Sequence, residues 1–114
     1  MHELSIVLSI LETVEEQART HNALKVESLD LVIGSLSGVE MEALEFAWEV
    51  AVPGTILAHT KRNILAVQAL ARCSSCKHEF NVNELFEPCP ECGSFRVEIL
   101  KGKELQIKSL TLVN

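Results

Sequence analysis

The chain has 114 residues, 47% of them hydrophobic, with a formal net charge of −6 and a pI near 5.2. That length holds one ordinary domain, or a small one with a metal-stapled module, and the acidic balance with scattered Lys and Arg argues against a nucleic-acid partner. No run of about 18 apolar residues exists to span a membrane, and Glu3 ahead of the apolar residues, with no basic stretch before them, argues against a secretion signal, so a cytoplasmic location is expected.

In the first segment Leu4, Val7, Leu8, Leu11, Val14 and Ala18 recur at steps of three and four, with Glu12, Glu15, Glu16 and Arg19 on the other face. This predicts an amphipathic helix fading near His21-Asn22. Leu29, Leu31 and Ile33 then alternate with Ser28, Asp30 and Val32, a strand pattern. Gly34-Ser35-Leu36-Ser37-Gly38 breaks the chain, and Ser37 followed by Glu40 predicts a capping box. The second helix should bury Met41, Leu44, Trp48 and Ala51 and end at Pro53-Gly54. Asn63 to Arg72 reads as one strand running into Cys73, with Leu65, Val67, Ala69 and Ala71 on one face. The last strand, Leu105 to Val113, starts with Leu105 and Ile107 inside; its alternation slips near Ser109, where a bulge is expected. The expected fold is α+β: two helices on a small three-stranded sheet with an inserted zinc-ribbon-like module. Residues 1–71 plus 103–114 form the main domain and 72–102 the insert.

The insert carries all four cysteines, as Cys73-Ser-Ser-Cys76 and Cys89-Pro-Glu-Cys92, with twelve residues between the pairs. Two such turns facing each other present four thiolates to one Zn(II). Four thiolates close the tetrahedral shell, so the zinc is structural. The insert's few apolar residues (Phe80, Val82, Leu85, Phe86, Phe95) cannot fold it unaided. Metal binding must supply folding free energy on the order of 10 kcal/mol. Gly93, after the second pair, is expected to turn left-handed with its N–H aimed at a sulfur. A disulfide or redox use of the pairs is disfavoured by the spacing and by a reducing compartment.

The sequence opens Met1-His2-Glu3. The Met1 amine, the His2 amide nitrogen and the His2 imidazole close a five- and a six-membered ring on one metal. Three nitrogens in a plane suit Ni(II) or Cu(II) better than zinc. Glu3 adds a nearby carboxylate, and the bulk of His2 should keep Met1 in place. His78, two residues after Cys76, could approach the zinc but reads as a solvated loop histidine. His21 suits a helix C-terminus, His59 lies in a polar connection, and Trp48 reads as core. Glu40, Glu42, Glu45 and Glu49 read as the solvated face of the second helix, with Glu40 placed to contact a cation bound nearby. There is no phosphate-binding Gly-rich loop with Lys-Ser/Thr and no Gly-x-Ser-x-Gly elbow, and no cysteine outside the zinc set, so no enzyme is expected.

Together these segments resemble the hydrogenase-maturation nickel-insertion proteins of the HypA/HybF family. The resemblance covers essentially the whole chain. It rests on Met1-His2-Glu3-Leu4, Ile33-Gly34-Ser35-Leu36-Ser37, Pro53-Gly54-Thr55, the two cysteine pairs and Leu105-x-Ile107-x-Ser109. It implies a metallochaperone that holds Ni(II) as cargo on His2 and the Met1 amine, with Glu3 supporting, and zinc on Cys73, Cys76, Cys89 and Cys92. It also implies transfer toward a [NiFe] hydrogenase large-subunit precursor with a GTPase partner of the HypB type; in some bacteria the family also serves urease maturation. Some relatives carry a histidine after each cysteine turn; this chain keeps His78 but has Gly93 at the second place. A reading of a different class is a zinc-ribbon module for nucleic acid or a transcription complex. The balance of Arg72, Lys77, Arg96 and Lys101 against Glu79, Glu84, Glu87, Glu91 and Glu98 gives it no electrostatic footprint.

Overall fold

In a computed structural model of the chain, which describes residues 2–114, the apolar stripe of the first segment becomes helix α1 (His2–Thr20). It buries Val7, Ile10, Leu11, Val14 and Ala18, and the left-handed Asn22 (φ 53°) turns the chain out of it. The buried stripe is rotated from the expected one. Ile10 is inside, while Leu4 is half-buried and Leu8 is 51% exposed. Strand β1 (Lys25–Gly34) follows, burying Val26, Leu29 and Leu31 to Ile33.

Helix α2 (Met41–Ala51) starts later than a Ser37–Glu40 capping box requires. Glu40 is itself the N-cap, in extended conformation and without a side-chain cap. The helix buries Leu44 and Ala47; Met41, expected inside, is exposed, and Trp48 and Ala51 are half-buried. The Arg62 guanidinium lies 4.9 Å from the centre of the Trp48 ring and pairs with Glu45. Gly54 (φ 83°) turns the chain after Pro53.

The expected single strand over 63–72 is two. β2 (Lys61–Val67) and β3 (Leu70–Cys73) belong to different sheets. Between them Ala69 N–H donates to Ser35 Oγ (2.9 Å) and the Gln68 side chain to the Val82 carbonyl (3.0 Å). These bonds change the inward set from Arg62 and Ile64 in β2 to Ala69, Ala71 and Cys73, leaving Leu65 exposed. Strands β4 (Glu79–Asn81) and β5 (Val97–Lys101) flank β3, both antiparallel to it, and the pairing with β5 has a register shift at Leu70/Ala71. The last strand, β6 (Leu105–Val113), joins the first sheet in the order β2-β1-β6. Leu105 is exposed there, and the half-buried residues step from Ile107 to Leu110.

Residue numbers rise together along β1 and β2: Asn63 bonds Asp30 and Ser35 N–H bonds the Val67 carbonyl. That pairing is parallel, which makes α2 its crossover. Along β1 and β6 the numbers run opposite, from Leu24–Val113 to Gly34–Glu104, an antiparallel pair.

The contacts divide the chain into two compact units, Met1–Leu31 with Val39–Ile64 and Ile107–Asn114, and Val32–Gly38 with Leu65–Gln106. The first holds both helices. The second holds the β4-β3-β5 sheet, the four cysteines and a thin core of Ala69, Ala71 and Val82, with Leu36, Phe80, Val97 and Ile99 against it. Its backbone is closest around Gly102 (φ 114°), whose carbonyl accepts from Leu36 N–H at 2.7 Å. A Cβ on Gly102 would stand 2.4 Å from Ala69 Cα. Gly102→Ala should therefore lower stability by more than about 1 kcal/mol, read as a lower denaturant midpoint at unchanged slope.

Candidate functional site

The two cysteine pairs are built on the same turn. In each, the first cysteine's N–H donates to a carbonyl five residues on: Cys73 to His78 and Cys89 to Ser94, both at 2.9 Å. In each, the residue after the second cysteine donates back to the first cysteine's carbonyl: Lys77 to Cys73 at 2.9 Å and Gly93 to Cys89 at 2.8 Å. Closing the turn this way needs a left-handed residue, and Lys77 (φ 69°) and Gly93 (φ 75°) supply it. Gly93 N–H thus reaches a carbonyl, where a sulfur was expected. The sulfur of Cys73 is reached instead by Cys76 N–H, at 3.5 Å. The first cysteine of each pair is buried and the second exposed.

All four Sγ atoms lie within 4.8 Å of one another, and the Cys73–Cys92 and Cys76–Cys89 sulfurs are each 3.6 Å apart. Tetrahedral zinc with bonds of ~2.3 Å requires sulfur–sulfur edges of ~3.8 Å, so the residues fit a structural zinc. Charge favours a cation there. The Cys76 N–H bond draws the Cys73 thiol down to about 6. Against the pull of the His78 N–H, burial and the sulfurs of Cys89, Cys73 and Cys92 push Cys76 up to about 12. Against the Ser94 N–H, the Cys73 sulfur and burial raise Cys92 as well. One thiolate forms readily and its neighbours then resist, which a dication relieves. His78 stands outside the sulfur cluster, stacked on Phe80 (ring centres 5.9 Å apart), with Nε2 4.0 Å from Glu91.

At the other end of the chain Met1 lies outside the described residues. His2 is the first residue of α1 and is exposed. Glu3 is buried, at 9% exposure, and its Oε2 accepts the Glu40 N–H at 3.1 Å. A carboxylate from α1 thereby does for α2 what the third residue of a capping box does for its own helix. The Glu40 N–H, then Glu3's own N–H, hold the Glu3 carboxyl below its ordinary value of 4.5. Nothing in the sequence periodicity announced this bond, because its partners are 37 residues apart.

Two outcomes follow from this geometry. Cys73→Ser should lose tight zinc and melt at a lower temperature, with the loss confined by hydrogen exchange to the cysteine-bearing unit; zinc affinity of the parent should fall with pH as thiolates protonate. The Glu3 bond stabilises the fold fully above pH 4.5 and is lost as pH falls through the lowered folded value. The stability gap between the parent and Glu3→Ala should therefore close in acid, as measured by denaturant unfolding across that window.

Comparison with known proteins agrees with this reading. Residues 1–112 match the family model described as hydrogenase/urease nickel incorporation, metallochaperone, hypA. The chain is 50% identical over 112 residues to the hydrogenase maturation factor HypA of Parabacteroides distasonis, covering 98% of this chain and 97% of the relative. It is 42% identical over 112 residues to that of Prosthecochloris aestuarii, covering 98% and 99%. Among solved structures, the solution structure of the Ni metallochaperone HypA from Helicobacter pylori superposes with a TM-score of 0.65 at 27% identity over 97% of each chain. A second solution structure of a HypA protein gives 0.69 at 29% identity, over 99% of this chain and 97% of the other. The two facing cysteine turns, the helix that begins at His2 and the full-length matches make this chain a member of the HypA metallochaperone family, which serves nickel incorporation in hydrogenase maturation.

Proposed function

We propose that the chain carries Ni(II) as cargo at its amino end and releases it during maturation of a [NiFe] hydrogenase, acting as a carrier and not as a catalyst. The proposed ligands are the Met1 amine and the amide and imidazole nitrogens of His2, with Glu3 supporting. The observation that carries this reading is the placement of His2, exposed and first in α1, beside an anchored Glu3. The first N–H groups of a helix have no intrahelical acceptor. The His2 amide can therefore lose its proton to a metal without breaking a helical bond. The next residue is tied to Glu40, so the chelate would sit on a fixed base.

Three planar nitrogens leave a position for an incoming ligand of the acceptor, which allows transfer. Copper would bind such a set more tightly than nickel, so selectivity would come from metal supply and partner contacts. We take residues 72–102 as the module organised by structural zinc, and 1–71 plus 103–114 as the domain that bears the nickel end. A cytoplasmic setting, a GTPase partner of the HypB type, a hydrogenase large-subunit precursor as acceptor and a further use in urease maturation are the remaining parts of the proposal. The family description, hydrogenase and urease nickel incorporation, supports the hydrogenase and urease parts.

Calorimetry separates the two metals. His2→Ala, or residues added before Met1, should abolish nickel binding and leave zinc content and melting temperature unchanged. In the parent, nickel affinity should fall between about pH 8 and about pH 6, because protons compete for the same nitrogens. Full nickel affinity in an amino-terminally extended or acylated chain would overturn the reading.

A further inference from the structure

Helices α1 and α2 leave an apolar groove open between them. It is lined by Glu3, Leu4, Ala43, Phe46, Ala47 and Val50. Phe46 is 69% exposed and Val50 61%. They stand four residues apart, on one face of α2. Leu8, 51% exposed, stands four residues beyond Leu4 on α1 and extends the apolar surface on that side. Large apolar side chains left in water on two facing ridges mark a surface shaped for another molecule.

The charges around the groove select its occupant. Glu42 and Glu49, both exposed, are the i−4 and i+3 neighbours of Phe46. Glu12, also exposed, stands four residues beyond Leu8. Glu45 is already paired with Arg62. Helix α2 contains no Lys or Arg, and the only one in α1 is Arg19, in its last turn. A second copy seated on the same face would set these glutamates against their own kind, in a chain of net charge −6.

We propose that this groove docks a basic amphipathic segment of a partner protein, with two apolar side chains about one helical turn apart entering beside Phe46 and flanking Lys or Arg meeting Glu42 and Glu49. Glu3 lines the groove directly after His2, so the docked segment comes beside the proposed nickel ligands. Assigning the segment to a nickel-exchanging partner rests on the reading of the amino end given above; the docking chemistry does not.

The test uses the zinc-loaded full chain, isotopically labelled for NMR, and a synthetic helical peptide of leucines at i and i+4 flanked by lysines. Two control peptides replace lysine by glutamate or scramble the leucine spacing. The lysine peptide should shift the amides around Leu4, Leu8, Phe46 and Val50 in one saturable event. Phe46→Ala should weaken it by roughly tenfold or more, as loss of a buried aromatic anchor does. The double change Glu42→Lys with Glu49→Lys should weaken it and reduce its salt dependence. Equal binding of either control peptide, equal binding by Phe46→Ala, shifts centred elsewhere, or self-association abolished by Phe46→Ala would each overturn the proposal. Nickel calorimetry on the same samples keeps the two readings apart. Peptide binding without nickel binding sinks only the cargo reading, and nickel binding without peptide binding sinks only the groove.

Discussion

Four sulfurs held within 4.8 Å of one another do not readily ionise together in a small protein without a cation among them. Everything about the cysteine-bearing unit follows from that constraint. The apolar cluster packed on its β4-β3-β5 sheet is thin, with Ala69, Ala71 and Val82 buried at its centre, little to set against the chain entropy of Leu65–Gln106. The two turns hold four sulfurs in place by backbone hydrogen bonds and accept a left-handed lysine to do it. Such a turn is held most firmly when a metal completes it. A closed sulfur shell would also retain a zinc ion, since no position is left for a competing ligand.

The nickel site proposed at the amino end asks for the opposite kind of geometry. A cargo metal must be reachable and must leave. The structure offers an exposed His2 at the first turn of a helix whose second residue is anchored by a buried carboxylate. In the proposal the labour is divided by donor type: nitrogen donors in an open plane would take nickel, and thiolates in a closed tetrahedron would take zinc. The Glu3 carboxylate caps α2. In the proposal that bond lets one residue serve both the fold of the first unit and the site beside it.

Much of this was legible in the residue order, and the exceptions have physical causes. The helices, the first and last strands and the zinc set are local patterns, so periodicity and spacing revealed them. The strand over 63–72 was misread as continuous because alternation persists through Gln68-Ala69. Only the bonds of Ala69 to Ser35 and of Gln68 to Val82, residues far away in sequence, show that the chain changes sheets there. The Ser37–Glu40 pattern resembled a cap, but Glu3 already holds the Glu40 N–H. Leu8 and Met41 fit the apolar steps of their helices, yet both are exposed. A stripe gives the width of an apolar face and leaves open which edge of it the neighbouring helix covers.

The sequence alone determined the sulfur donor set: four cysteines at zinc spacing fit that ion by donor type and number, whatever surrounds them. It also determined the α+β class, because the hydrophobic period changes with each element. Only the tertiary structure decided that Glu3 caps a helix begun 37 residues later, that β1 and β2 run parallel, and that Phe46 and Val50 face an open groove. Those outcomes depend on which distant backbone and side-chain groups come within a few ångströms of each other, and a one-dimensional pattern does not contain that distance.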